Sequence, residues 1–225
     1  MRKIILLLII LLLSSNIAFS QKQGKEFLDS MLIVLPKAKE DTNKVILLTD
    51  ICYEYHANNP DLGIKYANEA LKLSEKLKWQ KGFGWSYGCL GNCYYVKSDY
   101  ATSLSYYYKA SKIWEQLRNQ KGIASVNGNL ALIYQSQGQV ERALEFALKS
   151  SEYDRQINDL RNLCIGYTNI GSLYSDTRLK NINKAKEYYE KALKISLENK
   201  YNELSAINYS NLGVVHKRLY NYPKS

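Results

Sequence analysis

One pentapeptide has the spacing of a hydrolase nucleophile. Gly84-Trp85-Ser86-Tyr87-Gly88 reads G-x-S-x-G, a pattern that needs a sharp strand-to-helix turn, with a histidine and an acid within reach of the serine. The chain holds two histidines. His56 falls in a turn signal, and His216 takes a slot that earlier units give to tyrosine. The pentapeptide itself lies inside a helical pattern, so no catalytic residue is assigned. Cys52, Cys89, Cys93 and Cys164 raise thiol chemistry next. Cys89 and Cys93 share one helix, a poor geometry for a bridge, and no histidine cluster accompanies them to make a zinc site. Cys52 and Cys93 fall on packing slots of adjacent helices and form the better candidate pair. The other reading is that all are buried free thiols serving as small apolar residues. A thiol-responsive Cys89 has no support. No metal motif, phosphate-cradling loop or dinucleotide fingerprint appears, so no metal and no cofactor are expected.

What must position these residues is a unit that recurs. Leu130, Ala131 and Tyr134 are followed by Gly138, Ala143, Ala147 and Ser150. One unit earlier stand Leu90, Gly91 and Tyr94, then Ser103, Tyr107 and Ala110. One unit later stand Ile170, Gly171 and Tyr174, then Ala185, Tyr189 and Ala192. Tyr94, Tyr134 and Tyr174 are spaced by 40 residues. A fixed period of this size marks stacked supersecondary units. In each, a first helix places Gly91, Ala131, Gly171 or Gly213 where a neighbour comes close, and a second helix repeats small residues at helical spacing. One such pair cannot bury its apolar stripe, but a stack can.

The units divide the chain into 41–80, 81–120, 121–160, 161–201 and a partial fifth, 202–225, in which Leu212, Gly213 and His216 fill the slots of Ile170, Gly171 and Tyr174. The fourth unit carries two extra residues, since Ala192 lies 42 after Ser150. The surplus falls at 179–183, in the turn between its helices, where insertions are absorbed easily. Before the units, 21–40 holds a short amphipathic helix with Phe27, Leu28, Met31, Leu32 and Leu35 on one side, ended or bent by Pro36. Asp41 or Thr42 caps the next helix, which buries Val45, Leu48, Ile51 and Tyr55. Asn59-Pro60 is a cap followed by proline at the first helical position.

Residues 1–20 lie outside this scheme. Arg2 and Lys3 precede an unbroken apolar run, and Ala18-Phe19-Ser20 offers small residues where a signal peptidase reads. The run is about half the ~20 residues that span a bilayer. The expectation is a cleaved signal peptide, mature Gln21 and a periplasmic location; an uncleaved anchor is the alternative. The formal charge is +10, and without Arg2 and Lys3 the 29 basic and 21 acidic residues leave +8. These charges are interleaved, as in Lys184, Lys186, Glu187, Glu190 and Lys191. That pattern makes a solvated helix face rather than the dense stripe of a nucleic-acid surface.

The pattern 129–134, then Gly138, Ala143-Leu144 and Ala147, resembles the tetratricopeptide-repeat family in a longer-helix variant. The opening of the mature chain, 28–32 and 39–45, is similar to exported tetratricopeptide regions of bacterial signalling proteins, which precede a membrane helix and a kinase, cyclase or DNA-binding domain. The resemblance implies an all-α, right-handed solenoid that is not an enzyme. It also implies a concave groove lined by the residue before each Leu-Gly-like pair: Cys89, Asn129, Asn169 and Asn211. Asn92, Leu132, Ser172 and Val214 follow one turn on, then Tyr95, Gln135, Ser175 and Lys217. Asparagine donates and accepts, so such a ladder can clamp the backbone of an extended peptide; the plainer reading is a hydrated groove with capping or inter-repeat contacts. Residues 220–225 align with 98–103, so the chain stops where a second helix should start. The apolar face of Leu212, Val215 and Leu219 is therefore expected to lack a partner, as in a fragment of a longer protein. The expected partner is a protein or extended peptide, with no nucleic acid, and with a membrane only through a downstream segment or an uncleaved leader. The sensory region of a signalling protein and a free-standing scaffold are the two functional classes that remain.

Overall fold

Short helical segments survive in water only when they bury a shared stripe, and the computed structural model shows how this chain does it. It describes residues 26–176 and 178–221; the expected signal peptide and cleavage site lie outside them. The described residues are all-α, with no strand among them. In order they are α1 (26–34), a 3-10 turn at Leu35–Lys37, α2 (Thr42–Tyr55), α3 (Pro60–Lys76), α4 (Gln80–Val96), α5 (Tyr100–Gln116), α6 (Gln120–Ser136), α7 (Val140–Gln156), α8 (Leu160–Ser175), α9 (Ile182–Glu198) and α10 (Asn202–Asn221). Two compact units result, one ending at Ser98 and one beginning at Asp99.

Helix starts follow local chemistry. Asp41 accepts from the amides of Asn43 and Lys44, Asn59 from Leu62 with Pro60 behind it, and Asp99, Asn119, Asp159 and Asn181 each cap their own helix. Each cap satisfies a donor that the helix cannot. Helix ends use one device repeatedly. Lys78, Ser98, Arg118, Gly138, Asn158, Lys180 and Lys200 have φ between 46° and 76°. Beyond five of these residues an amide closes back on the helix: Trp79 donates to the carbonyl of Ser74 (2.9 Å), and Asn119, Gln139, Asp159 and Tyr201 donate to Trp114, Tyr134, Asp154 and Ser196 (2.8–2.9 Å). A left-handed residue at this point satisfies carbonyls that would otherwise be orphaned.

In the first unit α2, α3 and α4 pack together. Val45, Leu48, Ala70 and Leu73 form a core flanked by Leu35, Tyr66, Leu77 and Trp79. Tyr55 is half-buried and stacks on Tyr66. Phe27 does not join the buried side of α1: only Met31 of that helix is fully buried.

In the second unit each helix from α5 to α10 packs on the next. Of the residues expected to pack the repeats, Leu90, Gly91, Ala110, Leu130, Ala131, Tyr134, Ala143, Ala147, Ile170, Gly171, Ala185, Ala192 and Leu212 are buried, whereas Tyr94 and Tyr174 are half-buried. A Cβ on Gly122 would meet the Trp114 ring at 2.4 Å. Only hydrogen fits there, because a ring in the core cannot swing aside.

Two expectations for α10 fail. The face of Leu212, Val215 and Leu219 is covered, since it packs on Ala185 and Tyr189 of α9. A first helix leans back on the second helix before it, so this face needs nothing that follows. Gly213 is exposed, with nothing within 4 Å of a Cβ placed there. Its counterpart Gly171 is met by Tyr189, from the helix after its own. No described helix follows α10 to meet Gly213.

Candidate functional site

The Gly84–Gly88 pentapeptide lies within α4, so the chain makes no strand-to-helix elbow there. Ser86 is fully buried and its Oγ has no hydrogen-bond partner. A hydroxyl in that position meets no substrate. His56 bonds the carbonyl of Tyr53 through Nδ1, and His216 stacks on Tyr220.

The thiols behave as their repeat slots suggest. Cys52 and Cys93 are buried free thiols on α2 and α4, with their sulfurs 3.7 Å apart. The hydrogen bond between them and their burial push the Cys93 thiol above its ordinary value. Cys52 also rises, mainly through its contact with Cys89 and despite an opposing effect of Cys93. Cys164 sits apart, its Sγ donating to the carbonyl of Ala192 (3.2 Å).

The expected groove residues separate into three places. Cys89, Asn92 and Tyr95 belong to the first unit and are half-buried. The Cys89 thiol points at the Thr49 carbonyl, 3.6 Å away. It fills an internal contact where later units place asparagine. In the second unit, Asn129, Leu132, Gln135 and Asn169 line one hollow of about 290 Å³ bounded by α6, α7 and α8. Ser172, Ser175 and Asn211 line a separate depression of about 280 Å³. Lys217 lines neither hollow and is exposed. Its neighbour Arg218 takes the inward position, donating to the carbonyl of Ser175 (2.9 Å) and to its hydroxyl (3.1 Å).

The larger hollow has an unusual floor. Small residues make the room: Ala124, Gly128, Ala131, Ala147 and Gly166. Asn129 and Asn169 project from equivalent slots of α6 and α8. Neither amide makes a hydrogen bond with a described residue, unlike Asn127, which bonds the Ile123 carbonyl, and Asn208, which bonds that of Leu204. Asn129 and Asn169 therefore do no capping and no inter-repeat work.

Asp154 of α7 also lines this hollow, and it is 5 % exposed. Burial pushes its carboxyl up to about 6; the neighbouring Asp159 carboxylate adds to the rise, and Lys121 opposes it. Lys121 stands at the rim and forms no ion pair with it among the described residues. Repeat matching did not single out Asp154. The signal was available in its slot, which holds Ser74, Trp114 and Ser196 in the other units: a charge among neutral residues. Asn162, on the facing α8 wall, was missed as well, although earlier units hold Gly82 and Gly122 in its slot.

Two further contacts tie the helices and turns of this unit together outside the hollow's lining. Tyr134 and Tyr108 share a hydrogen bond between hydroxyls (2.8 Å). Burial and that bond push Tyr108 up to about 12. Arg178 spans two turns, pairing with Asp176 at 2.9 Å and donating to the Gly138 carbonyl.

Comparison with known proteins agrees with this geometry. Sequence models described as tetratricopeptide repeat match residues 83–156 and 166–199. A search of curated proteins finds no match. Among solved structures, a Signal Transduction ATPase with Numerous Domains protein with a tetratricopeptide repeat sensor, from Pyrococcus horikoshii, superposes with a TM-score of 0.71 at 17% identity, covering 89% of this chain. The chain spans 31% of that protein. Aspartyl phosphate phosphatase F from Bacillus subtilis gives a TM-score of 0.70 at 17% identity, over 88% of this chain and 58% of its own. A Rap protein complexed with competence and sporulation factor gives 0.63 at 13% identity, over 90% and 72%. At these identities the likeness is one of fold.

Proposed function

Residues 83–156 and 166–199 are tetratricopeptide repeats, and from that premise we propose that the chain is a non-enzymatic module that holds an extended segment of another protein in the hollow bounded by α6, α7 and α8. The observation that carries this reading is the pair Asn129 and Asn169. Two carboxamides at equivalent slots line one hollow without hydrogen bonds to any described residue. An extended backbone offers a donor and an acceptor at each residue, and two fixed amides can grip it without reading side chains. The Rap protein complexed with competence and sporulation factor is an instance of this fold in a complex. Tetratricopeptide folds typically serve as interaction modules, and the buried Ser86 hydroxyl fits that use.

The finer reading is a sensory region of an exported signalling protein. Its support is the leader-like order of Arg2-Lys3, the apolar run and Ala18-Phe19-Ser20, together with the sensor in the Pyrococcus protein's description. No described helix is long and apolar enough to cross a membrane. Sequencing the N-terminus of the mature protein tests export: Gln21 is the expected first residue, and retained Met1 refutes cleavage.

The groove is tested by replacing Asn129 and Asn169 together with alanine. Neither amide supports the fold, so the melting temperature is expected to stay within about a degree, while affinity for a partner captured from periplasmic extract falls by at least about tenfold. Unchanged affinity removes the hollow from consideration.

A further inference from the structure

Asp154 is a cost to the protein that holds it. A carboxylate taken from water needs a counter-charge or several donors, and leaving it bare is expensive. Asp154 is 5 % exposed. No described residue donates a hydrogen bond to its side chain, and none pairs with it as an ion. The equivalent slots show that the repeat does not need a carboxylate here. Ser74 is fully buried and donates to the Ala70 carbonyl at 2.7 Å. Ser196 donates to the Leu193 carbonyl and accepts from Ser205, each at 2.9 Å. Trp114 lies flat against Gly122. Each of these copies is neutral, and the two serines are satisfied within the fold. In the third unit alone the slot carries a charge, and it opens onto the hollow that also holds Asn129 and Asn169.

We infer that Asp154 receives a lysine or arginine side chain of the segment bound in this hollow, an inference that rests on the groove reading above. The hollow is too small for a folded domain and has room for one or two side chains dropped from a strand. Asn129 and Asn169 hold the strand's backbone, and Asp154 on the α7 floor reads one cation from it. Lys121 lines the same hollow and acts on Asp154 electrostatically, but it is exposed and forms no ion pair with it among the described residues. A guanidinium or ammonium entering the hollow gives Asp154 the partner that the chain does not supply. The net positive charge of the chain disfavours non-specific binding of cationic peptides. Selectivity for a cation in this hollow thus depends on one residue.

The test uses the mature chain immobilised and four pools of N-acetylated, C-amidated decapeptides, random except for a fixed central arginine, lysine, citrulline or norleucine. Retained peptides are quantified by mass spectrometry. Wild type is expected to hold the arginine and lysine pools at least about tenfold better than the citrulline and norleucine pools. Asp154→Asn keeps the shape and removes the charge, so it should erase that preference and leave the citrulline and norleucine pools unchanged. Asn129→Ala with Asn169→Ala should lower all four together. Equal retention of the four pools by wild type, or a cationic preference that survives Asp154→Asn, overturns the role of Asp154 while the groove reading stands. Retention that does not respond to the asparagine pair overturns both.

Discussion

The two units build similar helix pairs and use the groove slot in opposite ways. In the first, Cys89 turns its thiol onto the Thr49 carbonyl, and Cys52 meets Cys93 in the core. These thiols are spent on the fold, although the Ser86 hydroxyl is left without a partner among the described residues. In the second, the side chains of Asn129, Asn169 and Asp154 line one hollow and make no hydrogen bond with a described residue. The difference teaches where to look for function in a repeat protein. Shape recurs from unit to unit, whereas unmet hydrogen-bonding capacity does not. In the second unit three such side chains share one hollow, which is why the proposed partner is placed there.

Transplanting the second unit's charge into the first breaks this comparison most severely. Ser74→Asp puts a carboxylate into a fully buried slot, and costs about 3–5 kcal/mol of stability above neutral pH. A chemical melt that moves by less than about 1 kcal/mol shows the two slots to be alike. Next comes Gly122→Val, which drives two methyls into the Trp114 ring and costs about 2–3 kcal/mol. Asn162→Ala, across the hollow from Asp154, stays within about 0.5 kcal/mol because it removes only an exposed side chain and its hydrogen bond to Asp159 (3.0 Å).

The reverse change sharpens the comparison through pH. Asp154 rises to about 6 in the folded chain, from 3.8. The groups acting on it are Asp159, which raises it, and Lys121, which lowers it. A carboxyl raised by folding holds its proton better when folded. The stability this provides is therefore complete below about pH 4 and is lost as pH climbs through 6. Asp154→Asn should gain about 1–3 kcal/mol at pH 8 and almost nothing at pH 4. Urea melts at both values decide it, and a gain that is equal at both rules out charge as the cause. In the first unit, mild oxidation of the mature chain should link Cys52 to Cys93, seen as the loss of two hydrogens in non-reduced mass spectra, and leave Cys164 free. A peptide map that joins Cys89 to any partner contradicts this. At the turns, Arg118→Gly relieves a left-handed backbone and should raise stability by about 0.5–1 kcal/mol.

Much of the fold could be read from residue types. Periodic apolar residues located the helices, Asp41 and Asn59 marked starts, and the Ala-Gly slots marked close approach. The turns were harder, because Lys78, Arg118 and Lys200 carry no outward sign of the left-handed conformation they adopt. Gly138 is the one glycine among those residues. The end of the chain misled for a different reason. The direction in which α10 leans decides that Leu212 and Val215 are covered and Gly213 is open, and spacing alone does not set that direction. Half of the candidate site was legible, since a repeating asparagine stands out. Asp154 was overlooked: its column is neutral in the other units, but that departure gains physical meaning only once burial shows the carboxyl to be unpaired.

The turns that close each helix through its own main chain carry one more consequence. Such a loop needs no distant contact, so every hairpin can nucleate by itself and then recruit its neighbour, and contacts stay short along the sequence. A chain assembled in this way can also come apart hairpin by hairpin from its extremities. A strand lying across α6, α7 and α8 would clamp the middle of that zipper, so occupancy should slow amide exchange most in these three helices and least in α10.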